Sequence, residues 1–115
     1  MDLSIAEATV AGQLVLSARG EIDMATLPQL HNALGRAVSL NPGRIVVLDV
    51  DGVYAFDDTA LGVVLGAAGR ARDFDGDVVV VCSAGPFRDR LARTGFDRAV
   101  RVSSSLADAA SRVES

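Results

Sequence analysis

The chain has 115 residues, half of them apolar and 4% aromatic, and a formal net charge of −4. A chain of this size is expected to form one domain that buries roughly two-thirds of the surface its unfolded state exposes. The acidic balance argues against a nucleic-acid partner, and the longest largely apolar stretch, residues 60–69, is shorter than the ~20 residues a membrane span needs.

The first predicted elements are two strands, about residues 4–9 and 13–18, joined as a hairpin across Ala11-Gly12. Gly20-Glu21-Ile22-Asp23 leaves the second strand, and Asp23 and Thr26 are candidate caps for a first helix. Apolar side chains recur along that helix at a spacing of about 3.6 residues. These residues are Leu27, Leu30, Leu34, Ala37 and Val38.

Strands and helices alternate in the rest of the chain. The predicted elements are a strand at 45–50, a helix at about 58–72, a strand at 78–82, a helix from Pro86 to the stop at Gly95, a strand at 99–102 and a helix capped by Ser105. This order predicts an α/β fold with a mixed β-sheet of about five strands, an N-terminal hairpin and about four helices. The later strands are expected to be parallel and linked by right-handed crossovers.

Acidic residues lie where the second helix is predicted to begin. Asp57 and Asp58 precede Thr59 at that point. A helix N-terminus carries unpaired N–H groups and the positive end of the helix dipole. The segment is therefore a natural place to display or receive negative charge, and it is the candidate functional region.

One alternative function is catalytic. The segment VVLDVDGVY resembles the opening motif of haloacid dehalogenase-type phosphatases, which implies a small Mg²⁺-dependent phosphatase using Asp49 as nucleophile and Asp51 as general acid. Against it, the motif begins at residue 49 of 115 and leaves no room for the family's cap and later motifs. The chain also has no lysine to bind a phosphoryl group, and Asp-Gly is common in plain turns.

A response-regulator receiver is the second α/β alternative of similar length. Such domains need an acidic pair at the end of the first strand and a lysine on the fifth. This chain opens with a hairpin that ends in no acidic pair and contains no lysine, so the receiver interpretation is rejected.

A third resemblance spans nearly the whole chain. The segment VVLDVDGVYAFDDTALGVVLGAAGRAR resembles the signature of STAS-domain anti-sigma factor antagonists, a strand followed by Asp-Ser-Ser/Thr-Gly-Leu and a helix. Gly20-Glu21-Ile22-Asp23 is similar to that family's Gly-Glu-Leu-Asp, and LARTGFD at residues 91–97 to its Leu-x-x-Thr-Gly-Leu. The motifs fall in the family's order within residues 3–112, so residues 1–115 are expected to form one STAS domain.

The resemblance implies a regulatory protein without catalytic activity. Such a protein binds an anti-sigma factor of kinase-like fold, which releases a sigma factor, and is switched off by phosphorylation of the serine after the motif's Asp. No cofactor or metal is implied, and His31 has no further ligand at helical spacing. With one unpaired cysteine, Cys82, and no leader-like segment, the chain is expected to be cytoplasmic, as a monomer or weak dimer. The same fold serving a transporter or a stress-signalling assembly is a further alternative.

The chain departs from the family motif at its central position. Asp57 matches the family's Asp and Thr59 the following Ser/Thr, but Asp58 stands where the phosphorylated serine should be. A carboxylate carries −1, against about −1.5 to −2 for phosphoserine. Asp58 therefore either fixes a phospho-like, weakly binding state, or attracts a basic partner residue, or only stabilises the first helical turn. Thr59 is a possible alternative phosphate acceptor.

The second helix supplies a separate indication of a partner. Its inward residues are predicted to be Leu61, Val64, Leu65 and Ala68. Its outward residues are predicted to be Val63, Gly66, Ala67 and Arg70. Gly62, Gly66 and Gly69 each cost ~1 kcal/mol relative to Ala in a helix, so the close approach of the domain's own sheet or of a partner's backbone is expected to offset the loss. The predicted partner-binding residues are Asp23, Asp57, Asp58, Thr59, Val63, Gly66 and Ala67. Arg88, Arg90 and Arg93 are predicted to form a solvated basic face of the third helix.

Overall fold

The computed structural model describes residues 2–113, and the side chains of residues 2–109. Within this part of the chain, five strands form one sheet whose spatial order is the chain order, β1 to β5. The strands are β1 (Leu3–Val10), β2 (Gln13–Ile22), β3 (Ile45–Phe56), β4 (Asp77–Val81) and β5 (Arg101–Ser103). The helices are α1 (Leu27–Leu40), α2 (Thr59–Arg72), α3 (Pro86–Arg93), α4 (Phe96–Ala99) and α5 (Leu106–Val113).

The sheet is mixed. β1 pairs with β2 as an antiparallel hairpin, and β2, β3, β4 and β5 are parallel to one another. The predicted α/β fold with an N-terminal hairpin and five strands is therefore confirmed. The described chain has five helices where about four were expected, because the single turn α4 follows the left-handed Gly95, whose φ is +77°.

Alternation along the strands divides the core into two layers. The larger layer packs one sheet face against residues of α1, α2, α3 and α4, including Leu34, Val64, Leu91 and Phe96. The smaller layer packs Val15, Val47, Val79 and Val81 of the other face against Ala109 of α5. None of the helices in the described part is long and apolar enough to cross a membrane.

β3 is twice as long as predicted. The sequence predicted a strand that stops at Val50 and a turn at Asp51-Gly52, but β3 continues to Phe56 beside β2. The pairing register shifts between Ser17 and Arg19 and again between Gly20 and Glu21, and each time β3 carries the extra residue. Such bulges interrupt the period of two that marks a strand in a sequence, so the sequence pattern in the second half of β3 predicts a turn.

Gly20 makes the long β2 possible. Its φ is +108°, and a Cβ built on it would lie 2.2 Å from the backbone oxygen of Asp2. Only glycine fits such a conformation and such a close contact. The Gly-Glu-Ile-Asp segment is therefore mostly strand, since β2 ends at Ile22.

Candidate functional site

The two acidic segments lie side by side where β2 and β3 end. Ile22 and Phe56 are paired in the sheet, and the Asp57 N–H donates to the Ile22 carbonyl oxygen at 2.8 Å. The Thr59 hydroxyl lies 3.6 Å from the sulfur of Met24. Parallel pairing thus brings the start of α2 against the loop that precedes α1.

Asp57 caps α2. One of its carboxylate oxygens accepts the Thr59 backbone N–H at 2.9 Å and the Thr59 hydroxyl at 2.8 Å. Its carbonyl oxygen accepts the Ala60 N–H at 3.0 Å. The two bonds from Thr59 lower the pKa of Asp57 because they stabilise the charged form. The bond from the N–H has the larger effect and the bond from the hydroxyl the smaller one. The carboxylate of Asp57 therefore stays ionised and organises the turn.

Asp58 contacts a different element. One of its carboxylate oxygens accepts bonds from two nitrogens of the Arg90 guanidinium, with Arg90 Nε at 2.8 Å. Arg90 also donates to the Phe56 carbonyl oxygen at 2.6 Å, and its guanidinium lies 5.6 Å from the Phe56 ring centre. The negative charge of Asp58 is therefore met by a cation from α3.

Aromatic packing holds α3 in place for that contact. The rings of Phe56 and Phe87 are 4.7 Å apart between centres, and Leu91 is buried beneath the same helix. Arg88, two residues before Arg90 in the same helix, donates to the Cys82 and Val102 carbonyl oxygens at 2.9 and 3.4 Å. The prediction that Arg88 and Arg90 only form a solvated basic face is wrong, because both anchor α3 to the ends of the strands.

The remaining acidic site residue, Asp23, organises the turn before α1. The prediction that its side chain or that of Thr26 caps the helix is wrong, because the N-cap Thr26 has no side-chain capping bond. The Asp23 carboxylate accepts the backbone N–H groups of Ala25 and Thr26, both at 2.9 Å. The Thr26 hydroxyl does not cap α1 and donates to the Glu21 carbonyl oxygen at 2.8 Å. Asp23 is half-buried, so it shapes the loop beside α2 as well as facing the surface.

The inward and outward faces of α2 differ from the prediction. Ala67 is buried and belongs to the core, so placing it in the partner-binding set is wrong. Leu65, predicted to point inward, is 39% exposed. The buried face consists mainly of alanines. Their short side chains let α2 pack closely on both α1 and the sheet. The buried residues of α2 are Ala60, Val64, Ala67, Ala68 and Ala71.

The exposed face of α2 is lined with glycine. Gly62, Gly66 and Gly69 are all exposed. A Cβ on Gly62 or Gly69 would meet no atom within 4 Å, and on Gly66 only a nitrogen of Arg70 at 3.6 Å. The domain's own sheet therefore does not explain these residues, and the open space above them remains available to another molecule.

Val63 is half-buried at the edge of this face. It lines a shallow, mainly apolar groove between α2 and the start of α1, together with Met24, Leu27, Pro28 and His31. Met24 is 65% exposed. No local sequence pattern predicts that Met24 belongs to the site, because its position depends on the pairing of Ile22 with Phe56.

Asp49 and Asp51, the pair required by the phosphatase alternative, lie away from this surface. The Asp49 carboxylate accepts the Asp51 N–H at 2.9 Å. The Asp51 carboxylate accepts the N–H and hydroxyl of Ser83 at 2.7 and 2.8 Å. The Asp51 bonds tie the middle of β3 to the residue pair that follows the end of β4. No group of three or more His, Cys, Asp or Glu side chains that could hold a metal ion occurs among the described residues.

The comparisons with known proteins concern the whole fold. A STAS domain family model matches residues 4–109. A crystal structure of an anti-sigma factor antagonist from Mycobacterium paratuberculosis is 26% identical with a TM-score of 0.88, covering 99% of this chain and 96% of that one. SpoIIAA in its unphosphorylated form is 15% identical with a TM-score of 0.76, covering 96% of both chains. The phosphorylated form of the Bacillus protein SpoIIAA is also 15% identical, with a TM-score of 0.69 and coverage of 96% and 99%.

Proposed function

Because the chain belongs to the STAS domain family, we propose that it is a regulatory protein of the anti-sigma factor antagonist type. It binds an anti-sigma factor of kinase-like fold in the cytoplasm, releases a sigma factor and catalyses no reaction itself, as a monomer or weak dimer. The similarity to the Mycobacterium paratuberculosis antagonist over almost the full length of both chains supports this assignment.

The proposed docking surface comprises the acidic turn and the exposed face of α2. Its residues are Asp23, Met24, Asp57, Asp58, Thr59, Val63 and Gly66. The observation that carries the proposal is the open space above the α2 glycines, where a Cβ on Gly62 or Gly69 would meet nothing. Glycine in a helix interior is unfavourable for the isolated domain, and the close approach of a partner backbone gives it a purpose.

The phosphorylation switch differs from the family pattern in this proposal. A carboxylate at position 58 has no hydroxyl to accept a phosphoryl group. Thr59 keeps a hydroxyl, which is exposed and donates to the Asp57 carboxylate at 2.8 Å. We propose Thr59 as the alternative acceptor. Mass spectrometry after incubation with ATP and the kinase-like partner should place a phosphate there, and a Thr59→Val chain should remain unmodified.

The docking surface is tested with Gly66→Glu. The added side chain points into open space, since only Arg70 lies near the new Cβ, so the variant should keep the Tm of the parent or exceed it. Calorimetry with the purified kinase-like anti-sigma factors of the source genome should show binding by the parent chain and at least a tenfold weaker Kd for Gly66→Glu.

Ala107→Glu is the matched control. Ala107 is an exposed residue of α5, on the opposite face of the sheet, and its substitution should leave binding unchanged. Equal binding by Gly66→Glu and the parent chain would contradict the docking surface. A failure of the parent chain to bind any anti-sigma factor of that fold would contradict the function itself.

A further inference from the structure

We infer that Arg90 is a positioning residue of the docking surface, which holds the Asp58 carboxylate against α3 and masks its charge. The role of this masking in partner binding rests on the proposed function. The contact itself is a property of the free domain and is tested separately.

Asp58 does not act as a helix cap. Its side chain accepts no capping hydrogen bond from α2, although it stands directly before Thr59. Asp57 provides that cap. The Asp58 carboxylate is therefore available for Arg90, while its charge still lies at the positive end of the α2 dipole.

Phe56 holds the Arg90 side chain in two ways, independently of Asp58. The Arg90 guanidinium donates to the Phe56 carbonyl oxygen at 2.6 Å and lies 5.6 Å from the Phe56 ring centre. Its side chain is only 34% exposed, against 66% for Asp58. Arg90 is thus the anchored member of the pair, and it holds the more exposed acid against α3 by charge-assisted hydrogen bonds.

The ion pair between Asp58 and Arg90 changes the net charge that the docking surface presents to a partner. A carboxylate and a guanidinium in contact present no net charge, whereas either group alone presents one full charge. Removing Asp58 therefore exposes a cation at the docking surface, and removing Arg90 exposes an anion. The two substitutions should shift partner affinity in opposite directions, whichever sign the partner favours.

The first arm of the test uses the free chain. In ¹⁵N spectra the Arg90 Nε–H proton should be shifted and protected from exchange, and Asp58→Asn should abolish both properties. Arg72, whose Nε donates to Asp77 at 3.0 Å, is the internal control and should respond only to Asp77→Asn. An Arg90 signal that Asp58→Asn leaves unchanged would overturn the inference.

The second arm measures binding to the same kinase-like anti-sigma factors. At low salt, Asp58→Asn and Arg90→Gln should shift Kd about twofold to fivefold in opposite directions, the range that a single partly exposed ion pair reaches. The double variant should return close to the parent value, and Arg90→Lys should shift Kd less than Arg90→Gln. In 1 M salt, where the Debye length is ~3 Å, the differences should vanish.

Two results of this arm would overturn the inference. One is a shift in the same direction for both single variants, and the other is a shift for Asp58→Asn with none for Arg90→Gln. If no variant and no parent chain binds, the proposed function fails, while the Arg90 Nε–H signal still decides whether the masking contact exists.

Discussion

Two neighbouring aspartates have different tasks. Asp57 accepts bonds from the Thr59 N–H and hydroxyl, whereas Asp58 faces Arg90 on α3. The sequence motif identified both positions and predicted negative charge at the start of a helix. It could not pair Asp58 with Arg90, because 32 residues separate them and no local spacing encodes that contact.

The charge of Asp57 predicts a pH dependence of stability. Its folded-state pKa is lowered, mainly by the Thr59 N–H. Its contribution is therefore fully present above the unfolded pKa of about 3.9 and is lost as the pH falls through the lower folded value. Asp57→Asn, which keeps the acceptor oxygen but removes the charge, should lower the Tm at pH 7, and its difference from the parent should narrow as the pH falls below the unfolded pKa of about 3.9. Thermal melts from neutral to acidic pH measure the difference, and a gap that stays constant as the pH falls would contradict the role of the charge.

The helix α2 shows where periodicity succeeds and where it fails. Its existence, its approximate bounds and the inward positions of Val64 and Ala68 followed from the sequence. The burial of Ala67 and the exposure of Leu65 did not. Large apolar residues in a sequence locate the buried face of a helix only approximately when that helix packs closely on two neighbouring elements. In α2 the close contacts are filled by alanines, which a search for large apolar residues overlooks.

The glycines of α2 predict a trade-off between stability and binding. Gly62→Ala and Gly69→Ala place a methyl group in open space and should each stabilise the free domain by ~1 kcal/mol, raising the Tm by several degrees. Both should weaken binding to the proposed anti-sigma factor, because on the proposed docking surface the methyl groups would occupy the space through which the partner approaches.

Gly35→Ala in α1 is the matched control for these substitutions. A Cβ on Gly35 also meets nothing within 4 Å, so its replacement should stabilise the domain without changing binding. Calorimetry alongside thermal melts separates the two effects. Equal affinities for all three variants would contradict a partner role for the α2 glycines.

The overall fold was predicted from the sequence more accurately than the residues of the candidate site. The hairpin and the parallel later strands were predicted from the order of the elements, and both are confirmed. The second half of β3 was missed because bulges break the period of two. Met24 and Arg90 were missed because tertiary pairing alone brings them to the site.

Cys82 offers a probe of global opening. The thiol is buried in the larger core layer, and burial raises its pKa, with Asp51 adding to the shift. Because the thiolate is the reactive form, Ellman's reagent should react slowly with the native domain and rapidly in urea. The native rate should follow the population of the opened state. Cys82→Ser gives the blank, and fast, complete labelling of the native domain would contradict the burial.

The order of strands in the sheet has a consequence for biosynthesis. Every strand pairs with the one made immediately before it, so none has to be inserted between two partners that are already joined. As the chain leaves the ribosome, the β1–β2 hairpin can serve as a template to which β3, β4 and β5 are added one at a time. Each addition closes a loop no longer than one crossover, which keeps the entropic cost of assembly low.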